Sequence, residues 1–222
     1  MQKFATTAPV SVVLDIPAGR IRFVAADQDG ALVEVRPADA AKSRDVKTAE
    51  RTTVDYRDGV LRIETAEAKN RLVDATGSLE VTVQLPAGSH IEAKTASAEL
   101  SSTGRLGDVT YESAHGKVEL DETAAARLTL QAGDISVARL GGPAEITTQK
   151  GDIHIAEAVH GTITLRTEAG DLTVGAAPGV PASLDAGTGH GRIHNSLQSG
   201  ADTPALNIHA TTAYGDITAR SL

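Results

Sequence analysis

Along the second half of the chain one five-residue pattern recurs: glycine, a polar residue, an aliphatic residue, any residue, a second aliphatic residue. It stands as Gly116-Lys117-Val118-Glu119-Leu120 and as Gly133-Asp134-Ile135-Ser136-Val137, and starts again at Gly151, Gly170, Gly191 and Gly215. The intervals are 17, 18, 19, 21 and 24 residues, and a degenerate copy, Ala98-Glu99-Leu100-Ser101-Ser102, lies 18 residues before Gly116. Between these anchors runs a second alternation: Leu128-Thr129-Leu130, Ile146-Thr147-Thr148, Ile163-Thr164-Leu165, Leu206-Asn207-Ile208. Leu106, Leu140 and Val159 mark a shorter third side. Period-two alternation of this kind predicts short strands, two or three to a repeat.

Strands repeated every 17–24 residues have one economical arrangement. The chain coils, and each strand pairs in parallel with its equivalent one turn on. The expected fold is therefore all-β, a parallel β-helix or β-solenoid over 96–222, with the aliphatics stacked in columns such as Val118, Ile135, Ile153, Leu172, Ile193, Ile217. The repeated glycines fall at corners that call for positive φ. An antiparallel sandwich is the rival, but its turns would alternate in character, and here every copy of one turn is alike.

Residues 1–95 read as a strand-rich capping part. Strand-like runs cover Val10–Ile16, Arg20–Ala25, Ala31–Arg36, Val60–Glu64 and Leu79–Leu85, with turns at Asp29-Gly30 and Asp58-Gly59. "LDIPAGRIRF" at 14–23 resembles "VQLPAGSHIEA" at 83–93, so each is expected to open a coil. The segment 38–51, "ADAAKSRDVKTAER", suits a short helix with a thin apolar face, or else a solvated excursion. Residues 70–77 read as a loop. The part is either continuous with the solenoid or an independent domain.

Composition sharpens this. Of 222 residues 41% are hydrophobic but only 2% aromatic, with no Trp, so the core must be aliphatic. With no Cys, disulfides, thiolate metal sites and a Cys nucleophile are excluded. A net charge of -8 without a basic patch disfavours nucleic acid. Val10–Ile16 is too short and too interrupted by Asp15 for a signal peptide, and no segment reaches the roughly 20 apolar residues of a membrane span. A cytoplasmic location is the expectation.

The run "LEVTVQLPAGSHIEAKTASAELSSTG" (79–104), followed by serial copies such as "QAGDISV" and "QKGDIHI", resembles the DUF4097 family of β-strand-repeat proteins, which carry an adhesin label. The resemblance spans nearly the whole chain and implies a right-handed parallel β-helix. It implies no catalytic residues. Unlike membrane-anchored members, this chain is expected to lack a leader or anchor.

The most chemical feature is the position after the repeated glycine: Glu99, Lys117, Asp134, Asp152, Asp171, Arg192, Asp216. Coils about 4.8 Å apart would stack Asp134, Asp152 and Asp171 into a ladder of like charges. Such a ladder could hold Ca²⁺, as in a calcium-stabilised adhesin-like module, or supply an acid/base pair, or each Asp could bond its own turn. His154 and His194 share one outward strand position, two coils or roughly 10 Å apart, too far for one zinc. Neither nucleophile motif, P-loop nor HExxH occurs, and Tyr56, Tyr111 and Tyr214 are scattered, so no enzyme, catalytic residue or cofactor is expected. The function expected is structural: a scaffold presenting a repetitive surface to a protein partner, or to itself through exposed terminal coils. The last copy, Tyr214-Gly215-Asp216-Ile217-Thr218-Ala219, would leave an open end at Leu222 unless 196–204, the N-terminal part or another subunit covers it. A carbohydrate-binding or carbohydrate-active β-helix is the alternative class.

Overall fold

The computed structural model describes residues 1–66, 77–198 and 204–222. The loop expected over 70–77 and the cap expected over 196–204 fall largely outside the described residues. The chain is mostly β, with one helix among the described residues, in a β-solenoid-like fold. It forms two compact units, Met1–Gly116 and Lys117–Leu222.

The first unit contains β1 (Gln2–Phe4), β2 (Ser11–Ala26), β3 (Ala31–Pro37), α1 (Ser43–Glu50), β4 (Thr52–Arg57), β5 (Val60–Thr65), β6 (Leu79–Pro86), β7 (His90–Thr103) and β8 (Arg105–His115). The two runs expected at Val10–Ile16 and Arg20–Ala25 are one strand, β2. Its Ser11–Asp15 half pairs in parallel with β5, and its Gly19–Ala26 half with β6. On the opposite edge β2 pairs in parallel with β7 along 11–24, and β7 then pairs with β8. Apolar rungs follow: Leu61 on Val12 on Ile91 on Val109, and Ile63 on Leu14 on Ala93 on Tyr111.

Antiparallel strands border this parallel stack. β3 lies along β6, β1 along β3, and β4 along β5. The β4–β5 turn is Asp58-Gly59, both at positive φ (51° and 78°), as a tight two-residue hairpin turn requires. The helix is Ser43–Glu50, shorter than the 38–51 segment. Its thin apolar face has a reason: the inward side chains are polar. Asp45 accepts the Ser78 N–H (3.0 Å), and Thr48 Oγ1 accepts the Gly77 N–H (3.1 Å) while donating to the Arg44 carbonyl (2.9 Å).

The two Pro-Ala-Gly copies are not equivalent. Pro86 ends β6 and opens a turn, whereas Pro17 lies inside β2, where the strand changes outer partner from β5 to β6. What is equivalent is Gly19-Arg20-Ile21-Arg22-Phe23, paired residue for residue with Ala98-Glu99-Leu100-Ser101-Ser102. It is a further copy of the five-residue pattern, legible in the sequence once Gly19 is taken as its anchor.

The second unit contains β9 (Val118–Ala132), β10 (Ile135–Leu140), β11 (Ala144–Lys150), β12 (Ile153–Ala158), β13 (Gly161–Ala169), β14 (Leu172–Ala176), β15 (Ala182–His190), β16 (Ile193–Ser196), β17 (Leu206–Tyr214) and β18 (Ile217–Ser221). These strands pair with one another in parallel. From β9 to β14 each strand pairs with its equivalent one turn on, as the repeat implies. After β14 the order changes. β14 pairs with β18 and β13 with β17, while β15 and β16 lie beyond, on β17 and β18. The column is thus Val118, Ile135, Ile153, Leu172, Ile217, Ile193, with the last two exchanged relative to chain order. The outermost coil is 182–196, not the copy nearest Leu222.

The side chains account for the exchange. The inner place demands two aliphatics after the glycine, and 215–219 supplies Ile217 and Ala219. The copy at Gly191 supplies Ile193 and then Asn195, which a buried rung would leave without partners. Ile217 is 1% exposed and Ile193 45%. Among the described residues no helix is long and apolar enough to cross a membrane.

Candidate functional site

The corner glycines are set by packing. In Gly170 (φ 156°) an added Cβ would lie 2.0 Å from the Gly151 carbonyl oxygen, and in Gly215 2.0 Å from that of Gly170. One corner stacks directly on the next, and only glycine permits the approach. Several corner carbonyls also receive a hydroxyl. Thr167 Oγ1 donates to Gly151 (3.2 Å), Thr212 to Gly170 (3.1 Å) and Thr188 to Gly215 (2.9 Å). Thr148, Thr167 and Thr212 are buried. The Thr-x-x-Gly spacing behind this recurs in the sequence at 148, 167, 188 and 212, a signal the five-residue pattern did not include.

Asp134, Asp152 and Asp171 do stand in one column. Their carboxylates bond the next strand rather than their own turn. Asp134 Oδ1 accepts the N–H of Asp152 (3.0 Å), and Asp152 Oδ1 that of Asp171 (2.8 Å). Asp171 Oδ1 accepts the N–H of Asp216 (2.7 Å), and Asp216 Oδ1 that of Arg192 (2.8 Å). Asp216 and Arg192 therefore complete the ladder. The Arg192 guanidinium closes it with a 3.1 Å bond to Asp216 Oδ2. The Arg192 N–H, and then its guanidinium, hold the Asp216 carboxyl below its ordinary 3.8. Among the described residues no three His, Asp or Glu side chains gather as a metal-binding set.

His154 and His194 do share one outward column: Ser136, His154, Thr173, Thr218, His194. With β18 inserted they are three strand spacings apart, about 14 Å rather than 10 Å. Two further histidines sit on the outermost coil and its neighbour. His190 stacks on Tyr214 at 5.0 Å, and His209 Nδ1 lies 3.4 Å from Asp185 Oδ2.

The family model "Toastrack DUF4097" matches residues 11–221. The chain belongs to the DUF4097 family. A comparison with the curated proteins finds no match. Among solved structures, this DUF4097 chain is similar to a "putative adhesin" from Bacteroides fragilis NCTC 9343, at 11% identity and TM-score 0.46, covering 98% of this chain and 95% of that one. A second "putative adhesin", from Parabacteroides merdae ATCC 43184, gives 11% identity and TM-score 0.47, covering 97% and 94%. A "putative lipid binding protein" from Parabacteroides distasonis ATCC 8503 gives 11% and 0.45, covering 98% and 95%.

Two polar clusters in the first unit of this DUF4097 member escaped the sequence. Tyr111 is fully buried; its hydroxyl donates to the Ala98 carbonyl (2.9 Å) and meets Thr95 Oγ1 at 3.0 Å, which in turn bonds Ser113 Oγ at 2.8 Å. Burial pushes the phenol above its ordinary 10.0, opposed by the Thr95 and Ser113 hydroxyls. Nearby, Arg20 is held between Glu80 (3.2 Å) and Glu99 (3.3 Å). These three side chains, with Ser78 and Ser97, line a surface depression of about 420 Å³.

Proposed function

We propose that this DUF4097 chain is a non-catalytic interaction protein, a β-solenoid scaffold whose outer face is offered to a protein partner. The observation that carries this is one outward column on adjacent parallel strands: Arg127, Glu145, Thr164, His209, Asp185. Its side chains stand one strand spacing apart. Arg127 bonds Glu145 at 3.1 Å, so the column is held in register. Beside it runs Thr129, Thr147, Arg166, Thr211. A fixed lattice of charges and hydroxyls suits recognition of an extended, complementary surface. The Asp column fits the same role: one oxygen of each carboxylate is engaged by a neighbouring backbone N–H, which makes it a structural tie. The coil is taken as right-handed, the hand that parallel crossovers strongly favour. A Cys-free chain suits a reducing cytoplasm.

The test is affinity capture with crosslinking, comparing wild type with the double variant Arg127→Glu, Arg166→Glu. A partner retained by wild type and lost by the variant is expected. Equal retention by both would remove the face from consideration.

A carbohydrate-binding function is the second reading, favoured by Arg20 between Glu80 and Glu99 beside Ser78 and Ser97. A guanidinium with flanking carboxylates and hydroxyls can bond a polyol. Oligosaccharide-array binding that Arg20→Ala abolishes would establish it. An array with no signal would end it.

A further inference from the structure

Of the Phe and Tyr residues in the chain, Tyr214 alone falls in 117–222, and the fold does not ask for it there. Its register equivalents on the parallel strands run, in spatial order, Ala132, Lys150, Ala169, Tyr214, His190. Two of these are alanine, so the corner closes without a ring. The other rings serve packing: Phe23 and Tyr111 are fully buried, and Phe4 meets Tyr56 at 5.5 Å. Tyr214 is 61% exposed. A Tyr that the core does not use, with an apolar body and a wet edge, has the character of a contact residue.

We propose that Tyr214 is the stacking platform of a carbohydrate site that takes a neutral hexopyranose. This goes beyond the scaffold reading, and the site shares no residue with the Arg127 face or the Arg20 depression. His190 covers one face of the ring, 5.0 Å away and 13° from parallel, which fixes the plane of the phenol. The strand on the other side contributes Ala169, whose methyl is too short to cover the second face. Beyond Ala169 the next side chain of the column is Lys150. Ring and lysine are therefore two strand spacings apart, about 9.6 Å, with a slot between them floored by Ala169. The slot is apolar on the Tyr214 side and polar at its rim. The Lys150 ammonium is exposed and has no partner among the described residues. Across the corner, the exposed Asp171 carboxylate places Oδ1 2.9 Å from where a Gly215 Cβ would stand. That oxygen accepts the Asp216 N–H, and Oδ2 has no partner among the described residues. A pyranose matches this arrangement. Its polarised C–H bonds lie on the negative face of the ring, while its equatorial hydroxyls reach one donor and one acceptor. An aliphatic ligand would desolvate Lys150 and Asp171 without pairing them. The rim holds both signs of charge, so an anionic ring meets Asp171 and a cationic one meets Lys150, whereas a neutral polyol bonds both.

The column itself supplies the control for folding. Tyr214→Ala puts at 214 a residue that stands at 132 and 169 already, so circular dichroism should be unchanged. The probe is an array of neutral and charged hexose oligosaccharides, with the strongest neutral ligand then titrated by calorimetry. Wild type should bind at least one neutral oligosaccharide. Tyr214→Phe, which keeps the ring, should stay within about threefold of wild type, and Tyr214→Ala should raise the dissociation constant at least about tenfold, roughly 1.4 kcal/mol. Arg20→Ala should bind like wild type. An array with no signal, binding confined to charged glycans, or Tyr214→Ala that binds like wild type would each overturn the inference. Binding lost with Arg20→Ala and kept with Tyr214→Ala overturns it while leaving the Arg20 site standing, and the reverse pattern counts against the Arg20 site alone. Partner capture through Arg127 and Arg166 is independent of Tyr214, so its failure bears on the scaffold function only.

Discussion

The Asp171 carboxylate accepts a 2.7 Å hydrogen bond from the backbone N–H of Asp216, 45 residues later in the chain. That bond spans the point where chain order and spatial order part. Coil 206–221 lies against coil 161–176, and coil 182–196 has moved outward. The ladder also gains an end. Asp216 passes the interaction to Arg192, whose guanidinium has no acceptor to offer a further strand and turns back onto Asp216.

Asp171→Ala should destabilise the protein by about 1 kcal/mol, the usual worth of a partly exposed hydrogen bond. Asp171→Asn keeps an Oδ1 acceptor and should lose less. Urea denaturation of both decides the matter, and equal losses would show that the acceptor is not what counts.

Gly170→Ala should be far more damaging, at least about 3 kcal/mol, because the new Cβ meets the Gly151 carbonyl at a positive φ. Gly187→Ala, with open space, is the control and should fall within about 0.5 kcal/mol of wild type. Thermal melts that rank the two alike would mean that the corner stack relaxes easily.

Acid should loosen the outer coil. The folded-state pKa of Asp216 is depressed, so its contribution is present above 3.8 and disappears as the pH falls through the lower folded value. Asp216→Asn has no such titration, and its stability should decline less steeply over that interval. Parallel curves for the two proteins below pH 3.8 would refute the assignment.

Tyr111→Phe should cost about 1–2 kcal/mol, since the buried Ala98 carbonyl loses its donor and Thr95 loses a partner. Chemical denaturation gives the value. No loss would indicate that water replaces the phenol.

Added calcium should leave the melting temperature unchanged. One oxygen of each of Asp134, Asp152 and Asp171 is already bonded to a neighbouring N–H, and Arg192 neutralises the end of the column. A melting temperature that climbs with calcium would reinstate a cation ladder.

Much of the site was readable in advance because it is periodic. Asp134, Asp152 and Asp171 follow equivalent glycines, and that alone stacks them in any parallel coil. Their chemistry was not readable, because whether a carboxylate bonds its own turn or the next depends on the offset between stacked corners. That Arg20, Glu80 and Glu99 meet went unnoticed for a related reason. Glu80 follows Leu79 rather than glycine, and 60 residues separate it from Arg20.

The sequence by itself determined the strand repeat, the aliphatic columns and the glycine corners, since alternation and the absence of a side chain act locally. Tertiary structure alone decided the order of the coils. Two copies so similar, at Gly191 and Gly215, both satisfy the local pattern, and only competition for the inner place separates them. Burying Ile217 and Ala219 costs nothing polar, whereas burying Asn195 would, so the later coil went inside and β15 was left at the edge.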